Sequence, residues 1–254
     1  MLFAIDVGNT NTVFALIEGG EVRHRWRMRT MADRTGDEYM AFLAQHFAMN
    51  GIERGMIHRM LASTVVPTVI FNIRRLGHDH FGTEPLFVTK DLDLGIGIDV
   101  PNPNEVGADR LVNSAAAYAE HGDDLIIVDF GTATTFDIVT GGAYAGGVIA
   151  PGINLAVDAL YAASAQLPRI SVAPPPDGKA WAKGTVNAMQ SGIFFGYIGL
   201  IEGLVTRIRK EAGRDMTCIA TGGLAPIFKE HTNIIQRIDS DLTVRGLALI
   251  SERN

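Results

Sequence analysis

The stretch Leu125-Ile126-Ile127-Val128-Asp129-Phe130-Gly131-Thr132-Ala133-Thr134-Thr135 restates the phrase that opens the chain, Leu2-Phe3-Ala4-Ile5-Asp6-Val7-Gly8-Asn9-Thr10-Asn11-Thr12. In both, an apolar run leads to Asp, an apolar residue, Gly and a cluster of small hydroxyl and amide side chains. Asp6 matches Asp129 and Gly8 matches Gly131 at one offset, since 129 less 6 and 131 less 8 are both 123 residues, close to half of the 254. Residues 13–17 then face residues 136–140, and Gly19-Gly20 falls within a residue of Gly141-Gly142. Each copy reads as strand, Gly turn, strand, closed by a Gly pair. Either copy alone would read as an ordinary β-hairpin. Two turns rich in backbone N–H groups and small hydroxyls suit two loops gripping one polyanion, because both groups donate to phosphate oxygens without bulk.

Composition agrees with a duplicated globular chain. At 47% apolar it can bury a large core, and its length favours about two domains of ordinary size. The single Cys218 excludes an internal disulfide and a multi-cysteine zinc site. The first strand begins at once, with no basic leader or cleavage motif, so the expectation is a cytoplasmic protein. Residues 191–205 are interrupted by Glu202 and fall short of the roughly 20 residues a bilayer requires, so they are expected to form a buried helix rather than a membrane span. A net charge of −6 and a pI of about 5.6 offer nucleic acid no general attraction. Arg23, Arg25, Arg27 and Arg29 alternate, which places them on one solvated strand face.

Periodicity sets the organisation. Thr35 with Glu38 forms a capping box ahead of a helix bearing Tyr39, Phe42, Leu43 and Phe47. Strands are expected over 60–66 and 85–88, with a helix over 67–76. Residues 91–105, rich in Gly, Pro, Asn and Asp, form a long loop of the kind that usually carries function, and it runs into Val106-Gly107-Ala108-Asp109-Arg110 and an Ala-rich helix. The second hairpin, a helix over 154–163 and a proline-rich loop over 168–178 follow. Thr185 stands as the N-cap of a long helix on which Gly192, Gly196, Gly199 and Gly203 recur. Four glycines cost about 1 kcal/mol each against alanine, so a second helix is expected close against them, within the monomer or across a dimer. The order predicts an α/β protein of two similar halves, 1–118 and 119–254, with the active site in the cleft between them.

Competing motifs are absent: there is no G-x-x-x-x-G-K-[ST], G-x-S-x-G or H-E-x-x-H. Asp129-Phe130-Gly131 spells a protein-kinase tripeptide but lacks its partner motifs. His78-Asp79-His80 reads as a solvated polar loop. Two carboxylates beside a triphosphate imply cations between them, since like charges near 4 Å repel by about 4 kcal/mol at an effective dielectric of about 20. Mg²⁺, hard and oxygen-seeking, is the simplest bridge.

Taken in order, DVGNTNT (6–12), VGADR (106–110), DFGTATTFD (129–137), GGVIAPG (146–152), KGT (183–185) and ATGG (220–223) closely resemble type III pantothenate kinase over nearly the whole chain. The resemblance implies duplicated ribonuclease-H-like domains of the actin-like ATPase fold and ATP-dependent phosphorylation of pantothenate, the opening step of coenzyme A synthesis, in a homodimer. It implies that Asp6, Val7, Gly8, Asn9, Thr10, Asn11, Thr12 and Val13 form the first phosphate loop, with Asp6 on the Mg²⁺ side. Thr132 becomes a triphosphate contact, Gly222 and Gly223 lie near the adenosine, and Asp129 binds a monovalent cation, K⁺ or NH₄⁺. Gly107, Ala108, Asp109, Arg110 and Thr185 become the pantothenate pocket. Val100 stands where the family often has Tyr, which removes a hydroxyl from the pocket wall.

Asp109, at the end of a long loop and beside a guanidinium, suits the acceptor of the attacking hydroxyl's proton, because a neighbouring cation favours the ionised carboxylate. Arg110 suits a bidentate grip on a substrate carboxylate. On the residues alone, a surface ion pair or helix cap competes with both roles. Two other functions stay open on the sequence, another small-molecule kinase such as a sugar kinase, or a non-catalytic nucleotide-dependent regulator.

Overall fold

The structure is a computed structural model that describes residues 1–163 and 166–254. It divides into two compact units, Met1–Glu120 with Asp241–Asn254, and His121–Ser240.

In the first unit β1 (Leu2–Val7), β2 (Asn11–Glu18) and β3 (Glu21–Arg29) form an antiparallel meander. The α1 helix (Gly36–Asn50) starts at the expected capping box of Thr35 and Glu38 and stops at Gly51, whose φ of 66° is left-handed. β4 (Arg59–Thr64) pairs parallel with β1. The helix expected over 67–76 splits, a 3-10 turn at Pro67–Val69 leading into α2 (Ile70–Leu76). His78, Asp79 and His80 lie in a π-helical turn, Gly77–Phe81, rather than the expected loop, and His80 Nε2 is 2.8 Å from Asp37 Oδ1. β5 (Leu86–Phe87) pairs parallel with β4, β6 (Gly97–Ile98) interrupts the long loop, and α3 (Ala108–His121) follows it.

The second unit repeats the plan. β7 (Leu125–Phe130), β8 (Ala133–Thr140) and β9 (Ala143–Pro151) form its meander, α4 (Ile153–Ala163) and α5 (Thr185–Ala212) follow, and β10 (Thr217–Gly222) pairs parallel with β7. After α6 (Ala225–Lys229), β11 (Arg237–Ile238) pairs parallel with β10. The strand order β3-β2-β1-β4-β5 thus matches β9-β8-β7-β10-β11.

The register carries the likeness to single residues. The pairing β2–β3 slips between Leu16 and Ile17, and β8–β9 slips between Ile138 and Val139. These bulges lie 122 residues apart, as 138 less 16 and 139 less 17 show. Gly19 and Gly20 (φ 60° and 82°) and Gly141 and Gly142 (φ 63° and 71°) make the same tight turn, which needs two left-handed residues. Phe14 and Phe136, also 122 apart, are both fully buried. The offset falls from 123 to 122 because the second turn is one residue shorter: Val7 pairs with Thr12, whereas Phe130 pairs with Thr134.

Each unit has its own core. Phe3, Ile5, Phe14, Tyr39, Leu43 and Phe47 fill the first, and Ile126, Val128, Phe136, Phe194, Ile201 and Phe228 the second. The closing helix α7 (Leu242–Arg253) corrects the division at 118/119, because it packs with the first unit. A Cβ on Gly246 would lie 2.4 Å from Val112 O, so α7 crosses α3 at backbone distance and only glycine fits.

Two expectations about α5, its N-cap and the length argument against a membrane span, are also corrected. Its N-cap is Gly184, with Thr185 the first helical residue. A Cβ on Gly192, Gly196, Gly199 or Gly203 would meet nothing within 4 Å, so no neighbour within the described chain explains that stripe. At 28 residues α5 is long and apolar enough to cross a membrane, so the argument from length fails. What holds it in a globular core is its other face: Phe194, Tyr197, Ile201 and Val205 are buried against Ile126, Val128 and Phe228.

Candidate active site

The first loop begins where β1, a central strand, ends. Asp6 is half-buried in that strand, and Gly8 N–H donates to Asn11 O at 3.0 Å to close the turn. Asn9, Thr10 and Asn11 are exposed, and Val13 is half-buried. Thr12 points inward instead, fully buried, with its Oγ1 2.9 Å from Thr30 Oγ1. Thr30 Oγ1 donates to Gly8 O at 2.8 Å and its backbone N–H to Thr10 O at 2.9 Å. Sequence reasoning missed Thr30, because nothing local to residue 30 announces that β3 returns beside residues 8–12.

The second loop has the same plan with tighter walls. Gly131 N–H donates to Ala133 O at 3.1 Å, Thr132 is exposed, and Asp129 is half-buried. A Cβ on Gly152 would sit 2.1 Å from Thr132 O. One on Gly222, whose φ is +90°, would sit 2.6 Å from Phe130 O and 2.9 Å from Asp129 Oδ1. Glycines therefore let two further backbone segments lie directly on the turn. Gly223 is exposed beyond them. Thr134, 1% exposed, bonds to Tyr197 Oη, and Tyr197 Oη donates to Pro151 O at 3.0 Å.

The third element is the start of α3. Gly107 and Ala108 deliver Asp109 into its first turn, and a Cβ on Gly107 would lie 2.6 Å from Asp109 Oδ1, so a side chain there would displace the carboxylate. Asp109 Oδ1 accepts from Arg110 N–H at 2.8 Å. Burial nevertheless pushes the Asp109 carboxyl above the usual range, outweighing that hydrogen bond and the Arg110 guanidinium. The sequence argument that Arg110 dominates the Asp109 environment is therefore reversed. Val100 is half-buried in the loop ahead of this turn.

The predicted residues divide between the units: Asp6 to Val13, Val100 and Gly107 to Arg110 in the first, Asp129, Thr132, Thr185, Gly222 and Gly223 in the second. Thr185 lines a cavity of about 560 Å³ with Leu160, Lys183, Gly184, Met189 and Ile193. Among the described residues no three His, Cys, Asp or Glu side chains converge as a metal cage.

Two units of one strand order, each with an Asp-x-Gly turn closing its first strand, give an α/β protein of the actin-like ATPase and sugar-kinase fold. Two solved structures share the architecture at low identity: a protein described as a Baf family transcriptional activator from Campylobacter jejuni (TM-score 0.62, 18% identity, 98% of this chain and 97% of that one) and one described as a 2-dehydro-3-deoxygalactonokinase from Sinorhizobium meliloti (TM-score 0.58, 13%, 99% and 96%). Residues 2–207 match the family described as type III pantothenate kinase, and a type III pantothenate kinase from Rhodospirillum rubrum is 53% identical over 256 residues, covering 100% of this chain and 99% of that one. The chain belongs to the type III pantothenate kinase family.

Proposed function

We infer that the chain transfers the γ-phosphoryl group of ATP to pantothenate, giving 4'-phosphopantothenate and ADP, the first step of coenzyme A biosynthesis. The observation that supports it most is the family match, which spans both Asp-x-Gly turns and the Asp109 turn. The reaction forms a bond between the pantothenate hydroxyl oxygen and the γ-phosphorus and breaks the bond to the β-phosphate bridging oxygen. Such a transfer relies on positioning, charge stabilisation and one acceptor for the hydroxyl proton.

Asp109 is assigned as that acceptor. Its burial makes the carboxylate a stronger base than an exposed aspartate, which favours proton uptake. Arg110 is assigned to the pantothenate carboxylate as a bidentate donor, with Val100, Gly107, Ala108 and Thr185 completing the pocket. The loop of residues 8–11, through the exposed Asn9, Thr10 and Asn11, and Thr132 are assigned to phosphate oxygens, and Gly222 and Gly223 to the adenosine side. Asp6 would hold a divalent metal from the protein side, and that metal would supply charge neutralisation at the phosphates. Asp129 is assigned to K⁺ or NH₄⁺.

The proposed assembly is a cytoplasmic homodimer without membrane or nucleic-acid partners. The exposed glycine stripe of α5 supports the dimer, because among the described residues nothing covers it.

The test is ADP release by the purified protein with Mg-ATP, with and without pantothenate, in K⁺ and in Na⁺. Pantothenate-dependent release that disappears in Na⁺ supports both the reaction and the cation. Turnover of a hexose in place of pantothenate selects a sugar kinase, and no turnover of either selects a regulator.

A further inference from the structure

Thr12 and Thr134 occupy one position of the repeated hairpin, 122 residues apart like the bulges, and both are buried, at 0% and 1% exposure. A buried hydroxyl needs a partner. Thr30 gives its only proton to Gly8 O, so Thr12 is the donor between the two threonines. Tyr197 gives its only proton to Pro151 O, so Thr134 donates to the Tyr197 oxygen. Each unit therefore wires its hairpin threonine through a second hydroxyl to a backbone carbonyl.

The Gly8 carbonyl lies in the first turn itself, whereas Pro151 ends β9 and precedes Gly152, which lies against Thr132 O of the second turn. The relay hydroxyls come from unlike places, Thr30 just beyond β3 and Tyr197 in the middle of α5. Duplication explains why the threonines match. It does not explain why two unrelated hydroxyls, one bonded within the first turn and the other at the strand end beside the second, each tie the hairpin threonine to a carbonyl next to a loop, and a shared demand of the two loops does.

We propose that Thr30 and Tyr197 are positioning residues that hold the two phosphate loops in the shape that receives ATP, a reading that rests on the kinase function above. The Tyr197 ring packs independently of its hydroxyl, against Phe228 at 5.4 Å between centroids, so Tyr197→Phe removes the relay and keeps the core. Tyr197→Phe and Thr30→Val are each expected to raise KM for ATP roughly ten-fold, as the carbonyl and threonine left unpaired let the loop relax. KM for pantothenate is expected to stay within about two-fold, and Thr30→Ser, which keeps the hydroxyl, to restore KM for ATP. If Tyr197→Phe fails to fold, Thr134→Val interrupts the same relay from its other end.

A purely structural role lowers Tm and leaves KM for ATP within about two-fold of the parent, and that result overturns the proposal. Calorimetric titration of the same variants with Mg-ATP reads the loops without pantothenate. A parent that turns over no pantothenate therefore overturns the kinase reading while the relay is still decided by ATP affinity.

Discussion

Asp109 carries the sharpest consequence at the scale of one residue. Asp109→Asn keeps the shape and loses the base, so turnover is expected to fall by about 10² or more while Mg-ATP affinity hardly changes. Turnover within a few-fold of the parent would remove the assignment. Because the folded carboxyl is pushed up, the acid limb of kcat/KM is expected above the ordinary aspartate value of about 3.9. Stability follows with a definite sign. A raised folded pKa leaves the contribution intact below the unfolded pKa and loses it as pH rises through the folded value. Asp109→Asn is therefore expected to have a higher Tm than the parent at neutral pH, with the gap closing in acid. A variant less stable at both ends would show that the carboxylate is structural. Asp129→Ala, by contrast, is expected to abolish activation by K⁺, and an unchanged dependence on monovalent salt removes the cation role. The sequence exposed Asp6, Asp109 and Asp129 because each stands in a Gly-rich turn. It could not expose how burial and charge balance at Asp109, since that depends on what the fold packs over the carboxyl.

At the scale of elements, the hairpins were legible and their supports were not. The repeat fixed strand, turn and Gly pair in both units, and the matching bulges follow from the same phrase. Thr30 and Tyr197 reach those turns only through chain reversal and helix packing, which leave no local pattern. The swap of α7 is hidden for the same reason: Leu242 to Ile250 reads as an amphipathic helix, and its periodicity does not say which sheet it covers. The contact that decides it is testable. Gly246→Ala would drive a Cβ to 2.4 Å from Val112 O and 2.6 Å from Val112 Cγ1, where backbone cannot yield cheaply. The expected cost is about 1–3 kcal/mol by chemical denaturation, from overpacking at the α3–α7 crossing. An unchanged midpoint would mean that the two helices separate freely, and the placement of α7 would then be wrong.

At the scale of the whole molecule the open question is what covers α5. Its inner face is settled by Phe194, Ile201 and Val205, all fully buried or nearly so. Its outer face presents Gly192, Gly196 and Gly199 to solvent, although each glycine costs about 1 kcal/mol in an exposed helix. A monomer would gain from replacing them: Gly196→Ala and Gly199→Ala meet open space and would each raise stability by roughly that amount. A dimer packed through this face makes the opposite demand, because helices approach closely only where side chains are absent. The expected result is therefore that Gly199→Leu halves the mass seen by light scattering and lowers pantothenate turnover. Thr185, exposed in the first turn of the same helix, lines the cavity that also takes in Gly192 of the stripe, which is why the proposed dimer contact and the proposed pantothenate pocket are expected to fail together. Gly196→Ala reads the same choice more gently, through Tm against protein concentration. A Tm that rises and does not depend on concentration places α5 at a free surface, and a mass unchanged in Gly199→Leu puts any dimer contact elsewhere.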